Sequence, residues 1–500
     1  MIAKHFSQGA RIGAALVLSL AIVAGSAHAQ GNRALVIGMT LEPPLLDPTI
    51  NAAAAIAEVT QLNVYEGLTR IDELGRVLPA LAERWDVSPD ARTYTFHLLR
   101  GVKFADGTDF DAGDVKFTFE RNAAPDSTNS RKSYFTQMER IATPDAGTVA
   151  ITLKEPSALF LFNLAENASV IVAPESAATN RSNPIGTGPY KLERWTPGDS
   201  VVLTKNALHR NAARVQIERV TFKFIGDGAA QIAALQAGDV DLFSNIAAVE
   251  AAPQFQRDAR FQVLIGSTEG ETILAMNNKR GPLADVRVRR AISHAVDRRE
   301  VILGAQSGIA VPIGTHFAPH NPAYVDLTGM YPPDLAKARE LLREAGVPNG
   351  FDVVLTLPPV DYARRSGEII AAQLGRVGIR VKIEEVEWAR WLDVVYTQKN
   401  YDLSIVSHVE PMDITVYGNP NYYFQYDSAP LREALARANR ATDVAEQNRA
   451  WGDAQRIITQ DAVNVFLFEL PKVAVAKKGL AGLWRNWPMT LDDVAAMRWE

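Results

Sequence analysis

Two carboxylates, Glu410 and Asp413, lie close together just after an apolar segment and are the first candidates for charge chemistry. Paired carboxylates carry out acid and base catalysis in glycoside hydrolysis. The chain has 57 acidic residues, however, so an acidic pair at this spacing does not by itself indicate an enzyme. His408 precedes both acids. A single imidazole without a dense set of neighbouring ligands is a weak sign of a metal site.

The other patterns of reactive residues do not match an enzyme. The sequence has no cysteine nucleophile, no Gly-x-Ser-x-Gly elbow and no glycine-rich dinucleotide fingerprint. His316 and His320 have the spacing of a zinc-binding helix, but they lie in a proline-rich segment and no glutamate follows His316. Residues 186–190 lack the Gly-Lys-Ser/Thr ending of a phosphate loop. We therefore expect a binding protein with no catalytic activity, no metal and no cofactor.

Short apolar segments alternate with amphipathic ones, which predicts an α/β protein. The predicted strands are 35–39, 93–98, 149–153, 201–205, 220–225, 261–265, 272–276, 351–357, 379–386, 401–406 and 463–470. Helices are predicted at 285–303, after the N-cap Asp334, and at 362–377. Because residues 351–406 alternate between strand and helix, part of the sheet should be parallel. A chain of 500 residues is longer than one core usually serves, so we expect two or three domains.

The N-terminus and the composition indicate export. Lys4 and Arg11 precede an apolar run that extends from residue 12 to about residue 24. Ala27-His28-Ala29 then forms a small-residue cleavage pattern. These features are typical of a secretory signal peptide, and the run is too short for a membrane anchor, which needs about 20 apolar residues. We expect cleavage after Ala29 and a soluble periplasmic protein, without the cysteine that a lipid anchor requires. The net charge of −5 argues against nucleic acid as a partner.

A series of short motifs runs along the rest of the chain. It comprises Glu42-Pro43-Pro44-Leu45-Leu46-Asp47-Pro48, Tyr65-Glu66-Gly67-Leu68-Thr69, Pro79–Trp85, Thr93–Phe96, Arg100–Phe104, Asp106-Gly107, Ala112–Val115, Gly186–Tyr190, Arg289–Asp297 and Tyr401-Asp402-Leu403. Each motif is weak alone. In this order they resemble the extracellular solute-binding proteins, family 5, of peptide, opine and nickel ABC importers, and the resemblance covers essentially the whole chain after the signal peptide.

The resemblance implies a two-lobed periplasmic-binding-protein fold of class II with an extra domain on the first lobe. By position, residues 1–29 are the signal peptide, and lobe I combines 30–68, 183–268 and 472–500. The extra domain is 69–182, and lobe II is 269–471. The lobes are expected to close on a solute. The closed monomer would then dock transiently on a permease, whose separate ATPase subunits drive transport.

The resemblance also implies where the solute is held. In peptide-binding relatives the segment after the strand at 401–406 has Gly-Trp and then an aspartate that receives the ligand's ammonium. Here His408 replaces the tryptophan, and either Glu410 or Asp413 is the candidate acid. For the ligand's carboxylate we favour Arg364 or Arg365, because arginine binds a carboxylate through two parallel hydrogen bonds. Loss of both arginines should then abolish capture of the solute.

Four further residues are candidate contacts, and the solute itself stays open. Trp388 and Tyr422 could line the cleft from lobe II, and Pro44 and Leu45 could meet the ligand from lobe I. A peptide is the first expectation for the solute. The departure at His408 keeps an opine, another modified amino acid or a glutathione-like molecule as the alternative, with a nickel chelate as a further one.

Overall fold

The computed structural model describes residues 33–51 and 53–500, so the predicted signal peptide lies outside the described residues. The strands are β1 (Ala34–Met39), β2 (Thr69–Ile71), β3 (Val77–Pro79), β4 (Ala82–Val87), β5 (Thr93–Leu98), β6 (Met138–Asp145), β7 (Thr148–Leu153), β8 (Tyr190–Thr196), β9 (Ser200–Lys205), β10 (Arg219–Phe224), β11 (Leu242–Phe243), β12 (Phe261–Met276), β13 (Val311–Pro312), β14 (Asp352–Leu357), β15 (Arg380–Glu385), β16 (Leu403–His408), β17 (Asn464–Lys477), β18 (Leu480–Ala481) and β19 (Arg498–Trp499).

The α-helices lie on both sides of the main sheet and beside a smaller one. They are α1 (Ala54–Thr60), α2 (Ala112–Ala123), α3 (Lys132–Thr136), α4 (Phe160–Asn163), α5 (Gly228–Ala237), α6 (Ala252–Arg257), α7 (Val286–Ala295), α8 (Arg298–Gln306), α9 (Leu335–Glu344), α10 (Asp361–Gly375), α11 (Trp388–Trp391), α12 (Ala429–Arg440) and α13 (Val444–Gln460). Within the described ranges, none of them combines the length and the apolar character needed to cross a membrane.

One large mixed sheet runs through the molecule in the order β15-β14-β16-β12-β17-β11-β1-β10-β9-β8, and β13 pairs with β17 at its side. The antiparallel strands β12 and β17 are long enough to belong to both halves of this sheet. Separate apolar cores flank the two halves, one set around Leu355 and Trp451 and another around Phe222 and Phe243. The α/β class is therefore confirmed, and β12 and β17 are the links between the halves.

The structure joins two of the predicted strands into one. The segments 261–265 and 272–276 are parts of the single strand β12, and a shift in its pairing with β17 falls between Ser267 and Glu271. The intervening Gly-Ser-Thr-Glu-Gly-Glu sequence has low strand propensity, so the pattern alone predicts a break. Pairing with β17 overrides that preference and accommodates the mismatch as a bulge. β17 likewise extends to Lys477, beyond the predicted end at 470.

The prediction of one helix at 285–303 is wrong. Helix α7 ends at Ala295, Val296 is extended, and α8 begins after Asp297. The Asp297 side chain accepts hydrogen bonds from the backbone N–H groups of Arg299 and Glu300, so it is an N-cap inside the predicted helix. The other helices and the parallel unit are confirmed. Strand β14 pairs in parallel with β15 and β16, and α10 crosses between β14 and β15.

A second, antiparallel sheet has the order β4-β5-β7-β6. The alternation in β5 buries Phe96 on one face against Phe104, Phe119 and Phe160. Helix α2 starts at a capping box. The Asp111 side chain accepts a hydrogen bond from the Gly113 N–H, and the Asp114 side chain accepts one from the Asp111 N–H. This sheet lies within the region assigned to the extra domain, and its core extends to Leu68 and Ile185 just outside that region. The exact domain boundaries remain a prediction.

Candidate functional site

A cavity of about 540 Å³ lies where β12 and β17 pass between the halves of the main sheet. Its volume is within the range of small-molecule binding pockets, roughly 300–1,000 Å³. The lining residues come from segments far apart in the chain: Ala54, Ala57, Gln61, Arg131, Glu166, Asn167, Asn245, Val249, Thr268, Glu269, Gly270, Gln306, Val409, Glu410, Pro411, Leu470, Pro471, Trp487, Pro488, Met489 and Thr490. A molecule bound here would therefore touch both halves of the protein.

Arg131 supplies positive charge to the cavity wall, immediately before α3. Its Nε donates to Glu166 Oε2 at 3.2 Å, and its side chain keeps 36% of its exposure. Neither terminal guanidinium nitrogen hydrogen-bonds to another part of the described chain. Burial opposes the charge, but Glu166, Tyr134 and Glu410 raise the pKa of Arg131 overall. The guanidinium is thus charged, and its two terminal nitrogens are open to a carboxylate.

Glu166 is buried and acts as the support of Arg131. Its second oxygen, Oε1, accepts a hydrogen bond from the Tyr134 hydroxyl at 2.7 Å. Burial raises the pKa of Glu166, while Arg131 and the hydrogen bond from Tyr134 act in the opposite direction. Because both oxygens are occupied, Glu166 is suited to orienting the guanidinium rather than to binding a solute directly.

Glu410 is the acid most open to a solute. It is exposed on the cavity, in the segment that follows β16, and forms no hydrogen bond or ion pair with the described parts of the chain. Glu410 lines the same cavity as Arg131, and its negative charge helps to raise the pKa of Arg131, Tyr134 and Glu166. The other acid of the β12 wall, Glu269, is already paired with His320 at 2.7 Å. The cavity therefore presents an unpaired acid and an available cation.

Amide side chains line much of the remaining wall. Gln61 uses its Nε2 to donate to the Ala165 carbonyl, and Asn245 uses its Oδ1 to accept from the Val473 N–H. Each side chain thus keeps at least one further polar group for another partner. Asn167 and Gln306 also face the cavity, and Trp487 adds an apolar surface. Such a wall suits a ligand that carries several amide groups as well as charges.

A cluster of titratable side chains lies buried next to the cavity. Asp413 bridges two imidazoles, with Oδ1 at 2.5 Å from His316 Nε2 and Oδ2 at 2.8 Å from His408 Nδ1. Burial lowers the pKa of His316. Burial opposes ionisation of Asp413, but the two histidines hold its pKa below the usual range. Both oxygens of Asp413 are thereby occupied inside the protein.

Residues 76–429 match the family model of the bacterial extracellular solute-binding proteins, family 5 Middle. The chain belongs to this family. The resemblance inferred from the sequence motifs is confirmed, and the protein is accordingly the solute-binding component of an ABC importer.

Relatives match this family 5 protein along nearly its whole length. The glutathione-binding protein GsiB of Salmonella choleraesuis (strain SC-B67) is 28% identical over 495 residues, which is 94% of this chain and 95% of GsiB. AgaA of Agrobacterium tumefaciens R10, solved with agropinic acid, is 26% identical with a TM-score of 0.71 and covers 93% of this chain and 99% of its own. HbpA2 of Haemophilus parasuis has a TM-score of 0.84 at 23% identity, over 93% of this chain and 100% of its own. The two-lobed periplasmic-binding-protein fold is thus confirmed.

The two arginines proposed from the sequence lie away from the cavity of the family 5 protein. Helix α10 buries Ala363 and Ser366, so Arg364 and Arg365 between them point into solvent. Arg364 Nη2 pairs with Asp361 Oδ1 at 2.6 Å on the same helix. Neither arginine lines the cavity. The cavity is thus lined by Arg131 and by neither Arg364 nor Arg365, and which arginine holds a carboxylate stays a prediction.

The two acids proposed for the ammonium are separated by their burial. Glu410 lines the cavity, whereas Asp413 lies in the interior with both oxygens bonded to His316 and His408. His408, expected in the tryptophan position, is also buried and does not line the cavity. Of the pair left open by the sequence, Glu410 is the one that the structure makes available.

The remaining candidates pack elsewhere. Trp388 stacks on Trp391 with ring centroids 5.2 Å apart, and Tyr422 packs edge-on against Tyr396. Neither Trp388 nor Tyr422 lines the cavity. Leu45 is buried in the first half of the protein and Pro44 is exposed, and neither reaches the cavity wall. These four contact predictions therefore do not match the cavity.

Sequence reasoning missed Arg131, Glu166 and Trp487. Arg131 lies in a turn-rich segment of the region assigned to the extra domain, where no motif points to a ligand. Glu166 and Trp487 have no motif around them that points to a ligand. All three reach the cavity through tertiary packing of segments more than 30 residues apart.

Proposed function

We propose that this protein captures a small zwitterionic, peptide-like solute in the cavity between its lobes and delivers it to an ABC permease. The observation that carries this proposal is the arrangement of Arg131 and Glu410 on one cavity, each with charged atoms left open. An unpaired charge costs several kcal/mol to bury, by order of magnitude, so a ligand that closes this cavity must match both charges.

In this mechanism the solute's carboxylate accepts two hydrogen bonds from the terminal nitrogens of Arg131, and its ammonium donates to Glu410. Amide groups of the solute meet Gln61, Asn167, Asn245 and Gln306. Because these contacts come from both halves of the protein, they stabilise the closed state more than the open one. Only that difference can drive closure.

The class of solute is supported by the chemistry of the wall and by the relatives. GsiB is named a glutathione-binding protein, and AgaA was solved with agropinic acid. A di- or tripeptide, including a glutathione-like one, fits the amide-rich wall with its acid and cation. An opine-like conjugate of an amino acid is the second candidate, because it offers the same carboxylate with fewer amide groups.

Delivery requires export and a membrane partner. We propose that the segment at 1–29 directs the chain to the periplasm and is then removed, and that the protein acts there as a monomer. The closed form would dock on the permease, while separate ATPase subunits supply the energy. No catalytic step on the solute is part of this proposal.

The test begins with protein purified from the periplasm under native conditions. The protein is denatured, and the released small molecules are identified by mass spectrometry. The expected result is a carboxylate-bearing solute with an amino group, either a discrete conjugate or a set of short peptides. Calorimetric titration then compares that solute with its C-terminal amide. Equal affinity for the acid and its amide would overturn the proposal that Arg131 holds a carboxylate.

A further inference from the structure

The buried cluster of His316, His408 and Asp413 has the composition of a metal site. One ligand atom from each residue lies within 4.8 Å of the others. His316 and His408 keep 1% and 7% of their exposure, so water hardly reaches them. Imidazole nitrogens with one carboxylate oxygen are a ligand set typical of zinc and similar divalent ions. Neither histidine takes part in the proposed capture of a solute.

The imidazoles are held by outer partners in the manner of metal ligands. The Tyr417 hydroxyl lies 3.2 Å from His316 Nδ1, and the Tyr423 hydroxyl lies 3.0 Å from His408 Nε2. The nitrogen of each ring that faces Asp413 is therefore the one that a metal would bind, in place of the present hydrogen bond to that carboxylate. Ligating histidines in metalloproteins have such a second hydrogen bond on the other nitrogen, which fixes the ring and its tautomer.

A second, independent observation favours a cation-binding environment. Glu271 and Glu469 are buried, at 3% and 0% exposure, and pair with each other across β12 and β17. Glu271 also pairs with His408 across β12 and β16, so it shares a face with the cluster. One oxygen of Glu271 and both oxygens of Glu469 have no hydrogen-bond partner. Buried polar groups in native proteins are nearly always satisfied, so these atoms require an explanation.

Basic side chains do not partner the acids of this cluster. Within residues 33–51 and 53–500, no lysine or arginine forms an ion pair with Asp413, Glu271 or Glu469. The neighbouring Glu269 is paired only with His320. Three acidic side chains, Asp413, Glu271 and Glu469, thus lie beside two imidazoles in a water-poor interior. A divalent cation would give the unpartnered carboxylate oxygens a positive partner and would replace the protons between Asp413 and the imidazoles.

We propose that lobe II holds a resident divalent transition-metal ion of the zinc class, bound by His316 Nε2, His408 Nδ1 and an oxygen of Asp413. Glu271 and Glu469 complete the negative environment of the ion. The three protein ligands leave a further position for a water molecule. The ion anchors the segment between β16 and Asp413, which carries Glu410. The site is separate from the solute cavity and does not depend on the proposed solute.

The test uses the full mature protein, purified through a tag that does not bind metal and freed of metal with a chelator. Protein is incubated with Zn²⁺ or Co²⁺, desalted and measured by elemental mass spectrometry. The expected result is one retained ion per chain, a rise in the melting temperature with Zn²⁺, and visible d–d absorption with Co²⁺. His316→Gln and Asp413→Asn should lose the ion. The matched control His320→Gln changes a buried histidine four residues away and should retain it.

The outcomes separate this site from its alternatives. If His316→Gln fails to fold, the Co²⁺ spectrum and the Zn²⁺-dependent melting temperature of the unaltered protein still decide. No retained ion and no shift in melting temperature would show that the cluster is a proton-sharing network only, which overturns the proposal. Retention by His316→Gln together with loss in Glu410→Gln would place the ion in the solute cavity and would also overturn it.

Discussion

Replacement of Arg131 by alanine gives the sharpest test of the cavity. The side chain offers two terminal nitrogens to a carboxylate, while Nε stays bound to Glu166. A hydrogen bond to a charged group contributes about 1.5–3 kcal/mol. Arg131→Ala removes both hydrogen bonds to the solute's carboxylate, and water can replace part of them because the position is half-exposed. The loss should therefore cost about 3 kcal/mol of binding free energy, or roughly a 150-fold rise in Kd. Arg131→Lys should lie between, because lysine keeps the charge but not the paired geometry.

The alanine variant has a side effect that the design must remove. Without Arg131 the buried Glu166 keeps only the hydrogen bond from Tyr134. The variant should therefore be less stable by about 1–3 kcal/mol, the usual cost of removing a partner from a buried polar group. The double variant Arg131→Ala with Glu166→Gln should recover stability, because the neutral amide needs no cation, but it should not recover binding.

Calorimetric titration with the solute released from the periplasmic protein measures both effects, together with thermal unfolding. The matched control is the double replacement of Arg364 and Arg365 by alanine. These arginines lie on the exposed face of α10 outside the cavity and should leave Kd unchanged. A normal Kd for Arg131→Ala, or loss of binding in the Arg364 and Arg365 control, would refute the placement of the carboxylate.

Three further predictions follow from the same geometry. Glu410→Gln should weaken binding of a zwitterionic solute by about 10- to 100-fold while leaving the melting temperature unchanged, because Glu410 is exposed and unpaired; an unchanged Kd in titration would contradict its role. Burial and Asp492 raise the pKa of Glu58 from 4.5 to about 8 in the folded state. Between these two pH values the folded state holds a proton that the unfolded state has lost, so the free energy of unfolding falls as the pH rises toward 8. Glu58→Gln should remove up to about 3 kcal/mol of that fall between pH 5 and 8 in denaturant titrations, and parallel pH profiles would contradict the assignment. Gly266→Ala should destabilise the fold by about 1–3 kcal/mol because the new Cβ would lie 2.0 Å from the Arg485 carbonyl, whereas Gly375→Ala, in open space at the end of α10, should be neutral or slightly stabilising in thermal unfolding.

Local sequence patterns predicted helices and strands well where apolar residues recur with a regular period over a short stretch of the chain. The parallel unit of β14, α10 and β15 was predictable because its apolar residues recur with a clear period and Gly378 marks a turn at positive φ. The helix at 285–303 was not, since Asp297 is a modest signal inside an amphipathic pattern that continues past it. The two parts of β12 could not be joined from the sequence because their pairing with β17 spans about 200 residues.

The residues of the cavity were less predictable than the elements. A motif reports residues that are neighbours in the chain, but Arg131, Glu166 and Glu410 are brought together by the packing of separate segments. Arg364 and Arg365 had the right chemistry and a plausible position before a helix. Their exposure depends on which face of α10 is buried, and the buried Ala363 and Ser366 flank them. The sequence thus indicated the kind of side chain required, and not which copy of it reaches the cavity.

The two acids that the sequence could not distinguish differ in burial, and His408, which stands where the resemblance implies a tryptophan, lies beside the buried one. Without the imidazole of His408, the Asp413 Oδ2 would lose its partner, and only the contact of Oδ1 with His316 would remain. With His408 and His316 on either side, Asp413 is fixed inside the protein. The three residues before Asp413 are Glu410, Pro411 and Met412. Because Asp413 is fixed, the backbone position of the exposed Glu410 can vary only a little. We therefore expect the buried cluster to hold Glu410 on the cavity that Arg131 also lines. Disturbing Asp413 should then alter solute affinity through Glu410, without any direct contact between Asp413 and the solute.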